Sequence, residues 1–449
     1  MTLETHHVGK VLFVTVFGHP QRTGPIVNAV EDQNGKCQRL AVYNFDHSPS
    51  ASQVLPKDAV FAIKEPFFEL PKKDDPLIRV DHPSNLVKIS PTQRKNLKGL
   101  SNGDGPEIAD ALKYKDCGNA AFKSKDYLSA AELYAEALQS CKSDDGALRS
   151  IVLRNRAIVN IHLQRYEGAA ADALESLTSE DGLDEKTRKS NATAHFRAGR
   201  AEYQLGNFEQ ASQHFRKVLD LTPGDSDANK ELERTSLRLK EQKTGAFDFK
   251  AMGKVVTPKH NRLDHASFMA NVEVKQSTKH GNGLFALQEI KAGDLIMCEK
   301  ALAVAFDSDA NVRQLLIHNL NSGSTVTGPQ VNLQANLVQQ MLHNRSLAQE
   351  YFKCYDGGYE PRCKAEVVDG VTAVDAFQTM SIIEGNAFAC PTTRSSDLVG
   401  KSAEELQLGS VGFWVMAAYI NSACDGNARR AFIGESTEQI HPQPTSRSN

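Results

Sequence analysis

Up to about Ser90, apolar and polar residues alternate with a period of two in Val11–Phe17, Ile26–Val30, Leu40–Tyr43, Val60–Ile63 and Leu77–Val80. Successive side chains of a strand point to opposite faces, so this pattern predicts strands with one buried side. The string GluAspGlnAsnGly at 31–35 supplies a hairpin turn. A small β-barrel or sandwich is therefore expected over residues 1–95. The polar stretch Thr92–Gly105, with AsnGlyAspGlyPro, reads as a linker. From Asp110 the period becomes helical. Strand character returns in Ala270–Val274, Gly283–Ala286 and Leu295–Glu299, after a Lys-, Pro- and Asn-bearing connection. The segment Asn311–Tyr355, with Gln, Asn and Leu at helical spacing, predicts a helical insertion. Residues 436–449 hold one aliphatic residue, Ile440, and two prolines, a composition that predicts a disordered tail.

Within the helical region one pattern occurs three times: a small residue, an aromatic nine positions on, Ala three further, then one more residue four further. The copies are Gly118/Tyr127/Ala130/Tyr134, Ala157/Tyr166/Ala169/Ala173 and Gly199/Phe208/Ala211/Phe215. The pattern resembles the tetratricopeptide (TPR) repeat, a helix–turn–helix of about 34 residues whose small residues let paired helices approach. Copies here stand 39 and 42 residues apart, which places insertions near Ser140–Gly146 and Thr178–Lys189. Pro223 closes the third copy, and the charged run Asp225–Lys243 is expected to cap the array, which spans 107–245. The resemblance implies a concave groove. Lys115, Asn119, Asn155 and Arg197 fall on four of the five positions by which certain TPR proteins clamp the C-terminal acidic peptide of heat-shock chaperones. Thr193 occupies the fifth, basic position. Cations and amides suit a terminal carboxylate through charge-assisted hydrogen bonds, but the same residue types are equally ordinary on a solvated helix.

Two later stretches are informative together. LysHisGlyAsnGlyLeuPheAla at 279–286, continuing GlnGluIleLysAlaGlyAspLeuIle, is similar to the opening of a SET domain, the fold of protein-lysine methyltransferases. TyrIleAsnSerAlaCysAspGlyAsn at 419–427 resembles its knot-forming segment, and Ile383–Pro391 resembles the NxF segment of the SET-and-MYND class. The resemblance implies a site for S-adenosylmethionine formed by His280, Gly281, Asn282, Gly283, Asn386 and Asn421. Cys424 and Asn427 also match, whereas Ser422 and Ala423 depart from the family's His and Ser. A GxG turn is by itself an ordinary hairpin, and Asn421 could be an amide satisfied within a turn. No MYND zinc insertion is present and no metal is implied. In the family a tyrosine after the knot walls the lysine channel. No tyrosine follows Tyr419 here, so the catalytic residue is unassigned and the SET domain, over 265–435, is expected to be incomplete and impaired. Strands near Asn271–Val274 and Ala431–Ile433 would then lack partners. Tyr351, Tyr355 and Tyr359 are candidates for a substitute wall or loop anchors.

The chain of 449 residues, 40% hydrophobic, is long enough for several cores. A formal charge of −3 with dispersed Lys and Arg offers no basic footprint for a phosphate backbone. The longest apolar run, Val411–Ile420, is well short of the ~20 residues that span a bilayer. Neither nucleic acid nor membrane is expected as a partner, and the expected location is cytoplasmic and/or nuclear. Eight cysteines without a CxxC pair indicate neither a disulfide framework nor a zinc knuckle. The spacing of His6, His7, His19 and His82 converges on no metal. The expected architecture is multidomain α+β: an N-terminal β-domain, an all-α TPR superhelix, a linker at 246–264 and a β-rich SET part. Two readings follow. One is a TPR-SET lysine methyltransferase docking a protein substrate or chaperone; the other is a TPR adaptor carrying a degenerate SET remnant.

Overall fold

The computed structural model describes residues 3–45, 49–70, 75–90, 93–94, 110–142, 145–178, 184–256, 262–277, 281–306, 316–318, 325–360, 367–368, 371–390, 410–421, 426–433 and 437–442. The chain forms two compact units, one of Met1–Leu232, Val338–Arg345 and Lys364–Ala376, the other of Glu233–Leu337, Ser346–Cys363 and Phe377–Asn449.

The first unit begins with an eight-stranded sheet: β1 (Val11–Val16), β2 (Gln21–Arg22), β3 (Ile26–Asp32), β4 (Cys37–Val42), β5 (Val60–Lys64), β6 (Phe67–Glu69), β7 (Leu77–Val80) and β8 (Leu86–Ile89). Its order is β6-β7-β4-β3-β1-β5-β8, with β2 beside β3 and only β4–β7 parallel. All five strands expected from the alternation are present. Among the described residues they make one sheet whose end strands, β6 and β8, do not pair with each other, in place of the expected barrel or sandwich. Closure needs a pairing between end strands that the alternation does not specify. One face buries Val14, Val16, Ile26, Val30, Leu40, Phe61, Ile63 and Ile78, with α1 (Ala51–Val54) packed against it. The β3–β4 turn lies where GluAspGlnAsnGly predicts it, and the Asp32 carboxylate accepts from the backbone N–H groups of Asn34 and Lys36 at 2.9 Å each.

Three antiparallel helix pairs follow: α2 (Ala111–Lys123) with α3 (Tyr127–Ser140), α4 (Gly146–His162) with α5 (Tyr166–Glu175), and α6 (Glu185–Gln204) with α7 (Phe208–Leu221). The charged run beyond them is α8 (Ser226–Thr244), as expected of a cap. Small and aromatic residues are matched in volume. A Cβ on Gly118 would stand 2.7 Å from the Tyr134 ring, and one on Gly199 2.8 Å from Phe215. In the middle repeat Ala157 faces Ala173, with Ala198 filling in from the next helix. The result is a TPR-like superhelix. The sheet and repeats belong to the same unit, joined by Gln53 donating to Asp126 at 3.0 Å and by a Lys88–Glu132 pair at 2.6 Å. Asn344, fully buried, caps α5 from outside the repeat. Its Oδ1 accepts from the N–H groups of Tyr166 at 2.8 Å and Glu167 at 3.2 Å.

The second unit holds α9 (Phe249–Val255), the hairpin β9 (Val272–Gln276) and β10 (Asn282–Ala286), then β11 (Met297–Lys300), β12 (Ala303–Ala305), and a further hairpin of β13 (Leu316–His318) and β14 (Thr325–Thr327). The expected insertion holds this last hairpin and then α10 (Gly328–His343), which from Val338 on belongs to the first unit, and α11 (Arg345–Tyr351), so its helical spacing is realised only in its second half. After the short pair β15 (Val367–Val368) and β16 (Val371–Thr372), which belongs to the first unit, come α12 (Ala376–Asn386), β17 (Phe388–Ala389), β18 (Val411–Phe413), β19 (Ala428–Phe432) and β20 (Thr437–Pro442). Two three-stranded sheets result, β12-β18-β17 and β11-β20-β19. Val272, Met297, Val304, Phe306, Cys390, Trp414 and Ala417 are buried together, with Leu284, Phe388 and Phe432 against them.

Three expectations are corrected here. The helix Phe249–Val255 lies inside the segment expected to be a plain linker, held by Asp248, which accepts from the Ala251 N–H at 2.9 Å. Thr437–Pro442 is a strand although its composition predicts a disordered tail, and through it β19 has a partner after all. A ladder is made by backbone groups, which composition does not veto once a free edge is beside them. The other strand expected to lose its partners, near Asn271–Val274, pairs with β10. The expected linker 92–105 lies outside the described residues except for Gln93 and Arg94, and residues 443–449 lie outside them entirely.

Candidate functional site

The β9–β10 hairpin brings the glycine turn to one edge of the second unit. Gln276 faces Asn282 and Lys275 faces Gly283 across the ladder, and the Ser277 N–H donates to the Gly281 carbonyl at 2.6 Å. Gly281 has φ +62°, a conformation that costs an L side chain energy and glycine little. Gly283 is buried, and the reason is Asn421: a Cβ at 283 would collide with the Asn421 Nδ2 and lie 3.2 Å from its Cγ. Two sequence motifs separated by more than a hundred residues therefore meet. Asn421 itself is exposed, so its amide covers the glycine on one side and faces solvent on the other.

Asn421 is delivered by a 3-10 turn, Ala417–Tyr419. The start of that turn is held by Glu299 of β11, whose carboxylate accepts from the N–H groups of Met416 and Ala417 at 2.9 Å each. Glu299 is buried. At its far end Tyr419 closes the turn near Cys354. Burial pushes both groups up, the thiol to about 12, so both stay neutral at ordinary pH. None of Glu299, Cys354 and Tyr419 is visible as a site residue from sequence. The one available signal is a lone carboxylate inside the apolar run LeuIleMetCysGluLysAlaLeuAlaVal.

The remaining cofactor candidates are placed as follows. Asn282 is exposed at the start of β10. Asn386, buried at the end of α12, spends its NH2 on the carbonyls of Tyr355 and Ile382, at 2.7 Å each. That binds the helix end to the Tyr355 loop and leaves only Oδ1 for another partner. His280, Ser422, Ala423 and Cys424 lie outside the described residues. Of the tyrosines, Tyr351 is fully buried and donates to the Thr379 carbonyl at 2.8 Å, which makes it core. Tyr355 is 70% exposed.

In the repeats, Asn119 and Asn155 are in direct contact: Asn155 Nδ2 donates to Asn119 Oδ1 at 3.1 Å, and the Tyr134 hydroxyl donates to the same oxygen at 2.7 Å. Both bonds fix the Asn119 amide so that its Nδ2 is the end left to donate. Arg197, half-buried, donates to the Arg154 carbonyl. Burial and the neighbouring Arg154 cation hold the Arg197 guanidinium down at about 10, against the pull of Tyr134. Lys115 is four residues before Asn119 on the same helix, 3.0 Å from Asp116 Oδ1. Thr193 is exposed and donates to the Lys189 carbonyl of its own helix at 2.9 Å. Sequence reasoning missed Tyr134 as the residue that orients Asn119 and Arg154 as a second guanidinium next to Arg197.

Comparison with known proteins finds relatives of the repeats and of the chain as a whole. Residues 192–225 match the tetratricopeptide repeat family. The chain is 31% identical over 457 residues to a methyltransferase of Gibberella zeae, covering 97% of this chain and 60% of that protein. It is 27% identical over 140 residues to mouse (Mus musculus) DnaJ homolog subfamily C member 7, covering 31% of this chain and 26% of the relative. Among solved structures, the myosin chaperone UNC-45 of C. elegans in complex with an Hsp90 peptide aligns with 33% identity and a TM-score of 0.27, covering 33% of this chain and 15% of that one. The chain thus spans three fifths of the methyltransferase's length and smaller shares of the others.

Proposed function

We propose that the second unit is the donor-binding part of a SET-type, S-adenosylmethionine-dependent protein-lysine methyltransferase, and that the repeats dock a protein bearing an acidic C-terminus. The observation that carries the first half is the apposition of Gly283 and Asn421. The exposed Asn421 amide lies directly against the glycine strand, in the space that any side chain at 283 would need. The residues fit an adenosyl group: the exposed Gly281 leaves its backbone groups open to close approach, and the exposed Asn421 amide can both donate and accept. Similarity to a methyltransferase over nearly the whole chain points the same way.

The bound donor supplies a methyl group on a sulfonium. Transfer to lysine is an in-line displacement, so the protein's work is alignment and keeping the amine neutral against its ordinary pKa of about 10.4. In this chain the paired strands β9 and β10 and the Asn421 turn do the aligning. Titration with S-adenosylmethionine tests the reading: micromolar heat supports it, and no heat at millimolar donor refutes it.

A second reading, a TPR adaptor with a degenerate SET remnant, draws on the pre-set amides of Asn119 and Asn155 beside Arg197. These are donors and cations gathered in one groove, the chemistry a terminal carboxylate needs. Binding of an EEVD-ended peptide with silence toward the donor would favour it.

A further inference from the structure

We infer that Glu299 is a positioning residue for the donor site, acting through the Ala417–Tyr419 turn to hold Asn421 over Gly283. This inference rests on the donor-site reading above and adds a residue to it. The geometry is specific. A carboxylate on β11, buried, directs one oxygen at each of two successive backbone N–H groups that lie 117 and 118 residues away in sequence. Those two N–H groups open the 3-10 turn, where no intrahelical acceptor is available to them. A carboxylate suits this pair because it presents a separate acceptor oxygen to each N–H. Four residues beyond the second of these N–H groups stands Asn421, with its amide against the glycine. The start of the turn is therefore anchored, and with it the approach of Asn421 to the glycine.

Glutamine at 299 replaces one acceptor oxygen with an NH2 that faces a backbone N–H. The turn should loosen while β11 keeps its length and packing. Calorimetric titration of the full chain with S-adenosylmethionine should show Glu299→Gln binding roughly tenfold more weakly. Asn421→Ala should weaken binding similarly, and the double variant should lose no more than Asn421→Ala alone, because the two act on one contact. Hydrogen exchange should accelerate at the Met416 and Ala417 amides of Glu299→Gln and stay unchanged in the TPR helices. Should this variant lose protection throughout the β11 sheet, Glu299→Asp, which keeps the charge but withdraws it by one methylene, is read in its place with the same expectation. Full donor affinity in the variant with Asn421→Ala impaired, or additive losses in the double variant, would overturn the assignment of Glu299 alone. Absence of binding by the wild-type chain would overturn the donor-site reading and this assignment with it.

Discussion

The side-chain amide of Asn421 rests on the Cα face of Gly283, where a single methyl group would not fit. Gly283→Ala should therefore push the amide away. We expect donor affinity to fall about tenfold or more while thermal unfolding of the TPR helices is unchanged. Titration of the variant beside wild type measures this, and equal affinities would show that the close approach does not serve the ligand.

The groove makes a separate prediction. Lys115 and Arg197 supply charge and Asn119 and Asn155 supply oriented amides. Replacing Lys115 or Arg197 with Ala should each weaken an EEVD-ended peptide by about tenfold, the size of one charge-assisted hydrogen bond of about 1.5–3 kcal/mol. Amidation of the peptide's C-terminus should produce a similar loss. Fluorescence polarisation checks both. Equal binding to wild type and to the double Ala variant would remove the clamp from the account.

Packing within the repeats is tight enough to predict a mutation with the wrong sign for helix propensity. Gly199→Ala gains about 1 kcal/mol of propensity in a helix interior, yet its methyl would stand 2.8 Å from the Phe215 ring. Overpacking of this kind costs about 1–3 kcal/mol, so the variant should unfold at lower urea. Pairing it with Phe215→Leu should recover part of the loss. A more stable single variant would contradict the close contact.

Acid should weaken the first unit through His343. Burial and the nearby Arg165 cation lower its pKa from the ordinary 6.5 to about 3. The unfolded chain therefore holds an extra proton between these values, and the stability due to the neutral imidazole is full above about pH 6.5 and drains away as pH falls toward 3. Wild type should lose more stability between pH 7 and 4.5 than His343→Gln does, read from urea midpoints of the helical signal. Parallel curves would rule this out.

These contacts differ in how far they could be read in advance. The pairing of Gly118 with Tyr134 and of Gly199 with Phe215 was visible because the repeat returns the same two residue types sixteen positions apart, and the compensating Ala157 and Ala173 follow the same rule. Five N-terminal strands were legible from alternation, but Gln21–Arg22 and Phe67–Glu69 are too short to show a period. Gly283 and Asn421 could be brought together only through a family resemblance, since no local rule links residues so far apart. Glu299 was barely legible: its one signal is a lone carboxylate in an apolar run, and only the folded chain shows that carboxylate facing two distant N–H groups. Thr437–Pro442 failed for the opposite reason, because its composition argues against the strand its backbone makes with Met297–Lys300.

The most direct test of the account is to irradiate the full chain with radiolabelled S-adenosylmethionine and map the crosslinked peptides. Label should appear on peptides containing Gly281–Ala286 and Met416–Asn421, and competing S-adenosylhomocysteine should abolish it. Label confined to other segments, or no competable label, would contradict the claim that Gly283 and Asn421 frame one donor site.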